Sequence, residues 1–311
     1  MVEPSLMLQV LIRAMLLIEA TFYFWLVVRL RRNGVEPVMI AAIIVAIASC
    51  WRLSHSMASW LVAATLRWRD GRSLPIGNSL AGLMSELRAW LVSYNWSQAF
   101  PQQALGDDPI GKSDGTPILL VHGFFSNRGM WVRFRKRLAD AGLGPVYTVT
   151  LEPMTGTIDQ MVEVFAARLA EVQRETGAEK IIVVAHSMGG LVTRAHMAQA
   201  GAGSIRQFIT LGSPHHGTQL AGLGLFKCAT QMRHESPWIE TLADMEEASP
   251  HGVPTLSIYT LNDDLVYPPE SAELAWAENV PVSGIGHVGL MFSEVVTQRV
   301  IAAIRKPALL P

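Results

Sequence analysis

Charged residues are scarce in this chain. Asp, Glu, Lys and Arg make up only 16% of its 311 residues, against about 25% in typical globular proteins. Half of the residues are hydrophobic, and the excess lies towards the N-terminus. The formal net charge is −1 and no basic tract is present, so nothing in the sequence points to nucleic acid as a partner.

Cysteine is nearly absent as well. Cys50 and Cys228 are too few for a disulfide framework, and there is no CxxC motif. We expect two separate, buried thiols. A metal site at the adjacent His215 and His216 is not expected, because neighbouring histidines seldom converge on one ion and no further ligands cluster nearby. The sequence therefore predicts neither a metal nor a cofactor.

The N-terminal end holds two long apolar segments, 6–30 and 38–66, on either side of a polar turn. Each exceeds the about 20 residues that a helix needs to cross a bilayer. We expect residues 1–70 to form a helical hairpin that anchors the chain in a membrane. Helices that lie on the membrane surface or cover the rest of the protein are the alternative. Residues 1–5 carry no Lys or Arg, which argues against a cleaved signal peptide.

Charges inside the two apolar segments predict a contact between them. The first segment contains Arg13 and Glu19, and the second contains Arg52. Charged side chains within a membrane are costly and usually face a partner. If the segments fold back about the turn, Glu19 and Arg52 lie within about one helical turn of the same depth. We therefore predict that these two residues pair.

The arginines that flank the two segments give opposite indications of orientation. Those at 29–32 favour a cytoplasmic turn, whereas those at 67–72 favour the reverse. The N-terminal tail has no positive charge. This favours a C-terminal domain on the periplasmic side of a membrane of the bacterial inner-membrane type.

Residues 71–114 differ in character and predict a helical connector. Glycine and proline punctuate this stretch, and 80–96 has the periodicity of one helix with an apolar face. The helix either packs on the C-terminal domain or lies along the membrane, where Trp90, Tyr94 and Trp96 would suit the interface.

Residues 115–311 alternate between predicted strands and predicted helices. The strands are 118–121, 146–151, 181–184, 205–211 and 255–260, and the helices are 130–141, 158–175, 191–198 and 291–304. This alternation predicts a mostly parallel sheet with helices on both faces. Active groups in such sheets gather at the carboxyl ends of the strands, and His122, Ser187 and Asp263 each follow a predicted strand end.

Ser187 lies between a buried strand and a helix, in the run AHSMGG. Ala185 and Gly189, two residues before and after it, are both small, as a sharp strand–turn–helix requires where the chain passes close to itself. This is the pattern of a nucleophile elbow, which holds a serine hydroxyl clear of the sheet. The alternative is a strand–loop–helix junction that happens to contain a serine.

A serine hydroxyl needs a base, normally histidine, and a carboxylate that holds the base. The glycine-flanked His287 lies in a late loop, and Asp263 and Asp264 follow the 255–260 strand, so the order serine, acid, histidine fits this fold. One aspartate is expected to hold His287 and the other, Asp264, to form a turn or meet solvent. Six other histidines are expected to be structural: His122, His186, His196, His215, His216 and His251.

Two backbone N–H groups are expected to stabilise an oxyanion beside the serine. One belongs to Met188, directly after Ser187. The other belongs to Phe124, in the loop after the first strand, where Gly123 allows a close approach.

Together these motifs resemble the α/β-hydrolase superfamily, and within it the bacterial serine lipases and esterases. The matching pieces are VHGF at 121–124, AHSMGG at 185–190, LGSPHHGT at 211–218, DxxV at 263–266 and GH at 286–287. Ala-His-Ser-Met-Gly is similar to the small Bacillus-type lipases, and the DxxV pattern selects Asp263 over Asp264. The resemblance covers about two-thirds of the chain, residues 115–305, and leaves the N-terminal hairpin outside.

The resemblance implies hydrolysis of carboxylic esters of acyl lipids through an acyl-enzyme. Ser187 would attack, His287 would transfer the proton, and Asp263 would orient His287. The N–H groups of Phe124 and Met188 would hold the oxyanion. An anchored short-chain carboxylesterase, an acyl thioesterase and a non-catalytic membrane scaffold are the alternatives. The oligomeric state is left open.

A long stretch at about 217–250 precedes the next strand and is rich in apolar residues. Lipase lids occur in this region of the fold. The stretch is either a mobile lid that opens at a lipid surface or a helical cap with its apolar face buried.

Overall fold

The computed structural model of the chain describes residues 6–111, 115–224, 226–248, 250 and 252–306. The ends of the expected units at 1–5, 112–114 and 307–311, as well as His251, lie outside the described residues.

A six-stranded parallel sheet forms the centre of the C-terminal part. Its strands are β1 (Ile118–Val121), β2 (Val146–Val149), β3 (Ile181–His186), β4 (Ile205–Leu211), β5 (Thr255–Thr260) and β6 (Glu278–Val282). They lie in the order β2-β1-β3-β4-β5-β6, with every neighbouring pair parallel. The predicted parallel α/β architecture is confirmed, and the carboxyl ends of all strands lie at one edge.

Eleven helices are present in the described part of the chain. They are α1 (Leu6–Arg32), α2 (Pro37–Arg69), α3 (Ile76–Val92), α4 (Pro101–Leu105), α5 (Val132–Asp140), α6 (Ile158–Thr176), α7 (Met188–Ala200), α8 (Lys227–Gln231), α9 (Pro237–Ala248), α10 (Gly289–Phe292) and α11 (Glu294–Arg305). The single helix expected at 291–304 is divided into α10 and α11, because the chain is extended at Ser293. The side chain of Ser293 caps α11.

The core has two layers, one on each face of the sheet. Alternate residues of β1 supply them: Leu119 and Val121 face α6 and α7, whereas Ile118 and Leu120 face α5 and α11. All four side chains are fully buried. A strand buried on both faces is a continuous apolar run, which is why the sequence pattern located it. Strand β6 was not predicted, because it is a partly exposed edge strand interrupted by Pro281.

Helices α1 and α2 are each long and apolar enough to cross a membrane, judged by length and composition. Many of their large apolar side chains are exposed, including Leu17, Phe24 and Trp51. Cys50 is exposed on α2, so the expectation of two buried thiols was wrong for this residue: it lies on the outer face of a helix that few other elements cover. Cys228 is buried, as expected.

Helix α3 packs on the C-terminal part of the chain. Its Gly82 lies against the side chain of Asn262, since a Cβ at 82 would come within 3.0 Å of the Asn262 Cβ. The helix ends at Val92 and continues as a π-helical turn (Ser93–Ser97), so the expected helix at 80–96 is divided. The ring of Trp90 stacks on that of Tyr94, with centroids 4.3 Å apart.

The stretch at 217–250 forms a helical cap over one face of the sheet. Helices α8 and α9 lie in it. Met232, directly after α8, and Ile239 and Leu242 of α9 join the core layer on the α6 and α7 side. The burial of these side chains matches the alternative of a packed cap.

Candidate active site

Ser187 lies at the junction between β3 and α7, in a conformation that few L-residues adopt. Its φ is +53° and its ψ is −127°. Such backbone strain is tolerated where the surrounding structure imposes it, and it is common at functional sites. The N–H of Ser187 donates to the carbonyl oxygen of Leu211 at 3.0 Å, which ties the turn to the end of β4.

Small residues around Ser187 let three chain segments converge. A Cβ at Gly123 would lie 2.7 Å from the Cβ of Ser187, so the loop after β1 touches the serine directly. A Cβ at Gly189 would lie 2.6 Å from the carbonyl oxygen of His122. Only glycine fits at either position, and the crossing brings Phe124 beside the start of α7.

Asp263 and His287 form a buried pair. Nδ1 of His287 lies 2.8 Å from Oδ2 of Asp263, and both side chains are almost completely buried. The second oxygen of Asp263 accepts from the N–H groups of Leu265 (2.9 Å) and Val266 (2.6 Å). The carboxylate is thus oriented by its own loop, and donation from Nδ1–H makes Nε2 of His287 the proton-accepting nitrogen of the neutral ring.

The turn expected of Asp264 is made by Asp263 instead. Asp264 does not meet solvent either: it is 2% exposed, and its Oδ1 accepts from the N–H of His287 at 3.3 Å. The tertiary contact accounts for the difference, because helix α2 covers this loop and Ser59 donates to Oδ2 of Asp264 at 2.6 Å. Burial, followed by the charge of Asp263, raises the pKa of Asp264.

The backbone of Ser187 and the Asp263–His287 pair both lie at the carboxyl end of β4. Gly212, which follows Leu211, has its Cβ position 3.3 Å from both Oδ2 of Asp263 and Nδ1 of His287. The rings of His186 and His287 have centroids 4.6 Å apart. His186 directly precedes Ser187, so the structure brings the three predicted groups to one edge of the sheet.

The charges around His287 govern its titration. Burial by itself would lower the pKa of His287. The charge and the hydrogen bond of Asp263, followed by the charges of Glu86 and Asp264, outweigh burial and raise this pKa to about 9.

Three residues of the N-terminal helices contact this site, and sequence reasoning missed them. Ser59 contacts Asp264, Arg67 donates to the carbonyl oxygen of Asp263 at 2.9 Å, and Glu86 accepts from the backbone next to His287. Only Glu86 carried a usable signal. It lies on the same helical face as Leu83 and Trp90, and an acid on an apolar face calls for a buried partner.

His122 and His186 have structural partners. In His122, Nδ1 donates to the carbonyl oxygen of Gly123 (2.8 Å) and Nε2 accepts from the N–H of Leu151 (2.9 Å), while burial lowers its pKa to about 4. His186 donates to the carbonyl oxygen of His287 at 3.2 Å, and burial, followed by the charge of His287, lowers its pKa. The imidazole rings of His122 and His186 therefore connect the loops beside Ser187 by hydrogen bonds.

The residues that the structure describes contain no group of three or more His, Cys, Asp or Glu side chains placed to hold a metal ion. His215 and His216 point to different partners: Nε2 of His215 lies 3.2 Å from Oγ1 of Thr210, and Nε2 of His216 donates to the carbonyl oxygen of Glu273 at 3.1 Å.

Comparison with known proteins agrees with this fold. Residues 150–283, less than half of the chain, match the PGAP1-like alpha/beta domain. The lipase BlEst2 of Bacillus licheniformis in its mature form superposes with a TM-score of 0.55 at 18% identity, over 63% of this chain and 95% of that one. Lipase B of Aspergillus fumigatus superposes with a TM-score of 0.57 at 21% identity, over 63% of this chain and 54% of that one.

The chain has the α/β-hydrolase fold. The superpositions cover less than two-thirds of it, and the two apolar N-terminal helices precede the α/β-hydrolase core. At these identities the likeness establishes the fold, and function has to be argued from the site.

Proposed function

We propose that this α/β-hydrolase is a membrane-anchored serine hydrolase that cleaves carboxylic esters of acyl lipids. The observation that carries the proposal is the buried Asp263–His287 pair beside the strained backbone of Ser187. Acyl transfer by a serine needs a nucleophilic hydroxyl, an imidazole that acts as the base and a carboxylate that holds the imidazole. Residues 115–311 form the catalytic domain, preceded by an anchor at 1–70 and a connector at 71–114.

The reaction proceeds in two steps, acylation of Ser187 and hydrolysis of the acyl-enzyme. Oγ of Ser187 attacks the ester carbonyl carbon while His287 accepts the hydroxyl proton. The N–H groups of Phe124 and Met188 hold the oxyanion until the C–O bond breaks and His287 returns the proton to the leaving alcohol. Water then attacks the acyl-enzyme by the same route and releases the acid, while Asp263 stabilises the imidazolium in both steps.

A cavity between the N-terminal helices supports a lipid substrate. It has a volume of about 380 Å³ and a mostly apolar lining from α1, α2 and α3, which includes Leu16, Trp51 and Leu87. This volume is in the range of ligand pockets, about 300–1,000 Å³. Two of its walls are helices apolar enough to lie in a bilayer, so an acyl chain is the natural occupant.

The cavity also lies near the oxyanion loop. Ile12 and Leu16 line it, and both pack in the small cluster that includes Tyr94 and Phe125. The hydroxyl of Tyr94 donates to the carbonyl oxygen of Phe125 at 3.1 Å. Phe125 follows the proposed oxyanion donor Phe124, so apolar packing connects the wall of the cavity with the loop after β1.

The test uses the full chain in detergent micelles with a fluorophosphonate probe and p-nitrophenyl esters of increasing acyl length. Labelling at Ser187, its loss in Ser187→Ala, and a preference for long chains would support the proposal. A preference for chains of about four carbons or fewer would favour the short-chain esterase, and faster cleavage of acyl thioesters would favour a thioesterase. No labelling of the folded protein would favour a non-catalytic scaffold.

The natural substrate can be sought in cells. Lipid profiles of cells that carry the wild-type chain or Ser187→Ala would differ in the substrate class, which should accumulate in the variant. Protease accessibility of the C-terminal domain in intact spheroplasts would test the proposed periplasmic orientation.

A further inference from the structure

Helix α3 places one carboxylate directly behind His287. Glu86 is 1% exposed. Its Oε1 accepts from the N–H of Val288 at 3.1 Å, and its Oε2 accepts from the N–H of Gly289 at 3.0 Å. The indole N–H of Trp90, one turn along the same helix, donates to Oε1 at 2.9 Å. Three donors thus converge on one buried carboxylate, which holds the two residues that follow the histidine.

The contact holds the loop on both sides of His287. Oγ of Ser85 accepts from the N–H of Gly286 at 2.8 Å. A Cβ at Gly286 would collide with the carboxylate of Glu86, so only glycine lets the loop approach the helix so closely. Residues 286, 288 and 289 are therefore all bonded to consecutive residues of α3, and His287 cannot shift without breaking these bonds.

The groups that face His287 are mostly acidic. Asp263 and Asp264 come from the loop after β5, Glu86 comes from α3, and an imidazole neighbour, His186, comes from β3. The nearby buried cation is Arg67 of α2, which donates to the carbonyl oxygen of Asp263. Burial, followed by the charge of Asp264, raises the pKa of Glu86 to about 8, while its donors and His287 favour the charged form. This pKa lies below that of His287, about 9, so Glu86 carries its charge in the pH range where His287 loses its proton.

We propose that Glu86 is a positioning residue: it fixes the loop that carries His287, and its negative charge favours the protonated imidazole. This inference rests on the proposed role of His287 as the base. An imidazolium forms each time Ser187 attacks, and a fixed, buried charge beside it needs no reorganisation to stabilise it. The connector helix, which lies outside the resemblance to known lipases, is then part of the machinery for proton transfer.

The experiment compares four forms of the full chain in detergent micelles: wild type, Glu86→Gln, Glu86→Asp and Ser85→Ala. The kcat/KM for a soluble p-nitrophenyl ester is measured across pH, and NMR of ring-labelled histidine follows the titration of His287 directly. The His287 signal is assigned with His287→Asn. The NMR measurement does not depend on turnover, so it separates this inference from the proposed function.

We expect Glu86→Gln to lower kcat/KM by about 10- to 100-fold through misplacement of the imidazole. The acid limb of the profile and the His287 titration should both move to lower pH by about one unit, because a nearby negative charge is lost. Glu86→Asp keeps the charge and should restore the wild-type pH midpoint. Ser85→Ala loses one hydrogen bond to the same loop without a change of charge, so its midpoint should also stay in place.

An unchanged His287 midpoint in Glu86→Gln would overturn the inference, whatever happens to the rate. If that variant does not fold, Trp90→Phe is used instead, because it keeps an aromatic side chain and removes one donor to Glu86. The carboxylate then holds its proton more readily, so the His287 midpoint should move the same way by a smaller amount; no movement would overturn the inference. Failure of Ser187 to label in wild-type protein would instead refute the proposed function, while the NMR titration would still test Glu86.

Discussion

Arg52 and Glu19 pair across the two N-terminal helices. The guanidinium donates to both carboxylate oxygens, with Nη2 at 3.0 Å from Oε2, and Nη2 also donates to Oδ1 of Asn95 at 2.7 Å. The pair is largely buried, with 25% and 17% of the two side chains exposed. The contact predicted from the sequence is confirmed, and it joins α1, α2 and the π-helical turn after α3.

Breaking this pair should destabilise the N-terminal helices. We expect Arg52→Leu or Glu19→Leu to lower the free energy of unfolding by about 1–3 kcal/mol, between the values for exposed and fully buried pairs, because each leaves one charge without its partner. Thermal unfolding in detergent micelles measures this. The double variant should recover part of the loss, and Arg31→Leu, on the exposed end of α1, is the matched control. Equal stability of all variants would contradict the prediction.

The two adjacent aspartates should differ sharply in catalysis. Asp263→Asn removes the acceptor of the His287 Nδ1–H bond, and loss of such an acceptor typically lowers kcat by about 10⁴-fold, since the imidazole adopts the wrong tautomer. Asp264→Asn keeps an acceptor for the N–H of His287 and should cost much less. Steady-state kinetics with a soluble ester separates the two. A larger loss for Asp264→Asn would reverse the assignment.

The pH dependence follows from His287. Only the neutral imidazole is a base, and its pKa is raised to about 9. We therefore expect kcat/KM to rise with pH, with a midpoint near 9, because this ratio reports the titration of the free enzyme. The folded-state pKa lies above the ordinary value of 6.5, so the contribution of this group to stability is fully present below about pH 6.5 and is lost as pH rises through about 9.

Two measurements check this behaviour. Kinetics of hydrolysis between about pH 6 and pH 10 gives the midpoint of activity, and thermal unfolding over the same range gives the loss of stability. Asp263→Asn should move the midpoint of both to lower pH. A wild-type activity that is flat above pH 7 would show that His287 titrates near its ordinary value.

Filling the cavity between the N-terminal helices should change acyl-chain preference. Leu16 lines the cavity, and a tryptophan there would occupy part of its volume of about 380 Å³. We expect Leu16→Trp to lower kcat/KM for a palmitoyl ester by about 10-fold or more, because several methylenes of the acyl chain would lose their burial. The kcat/KM for an acetyl ester should stay unchanged. Leu17→Trp, on the exposed face of the same helix, is the control. Equal loss on both esters, or loss in the control, would count against an acyl-chain site.

Local patterns in the sequence were enough to select the candidate reacting groups. The apolar run before Ser187 and the small residues around it predicted the strand–turn–helix, and Asp263 and His287 followed from their order and flanking residues. The structure then brings all three to the carboxyl end of β4. Glu19 and Arg52 were predictable too, because a hairpin of two helices relates depth directly to position in the chain.

The surroundings of these groups were decided only by the tertiary structure. Glu86 contacts Val288 across 202 positions of sequence, and Ser59 contacts Asp264 across 205. The periodicity of a helix tells which face is apolar but not which loop covers that face. The burial of Asp264, for which a turn or contact with solvent was expected, also came from a contact with α2. The sequence determined by itself five of the six strands and the candidate reacting side chains, because their signals are local. The folded chain decided what holds them in place, because those contacts join segments that are distant along it.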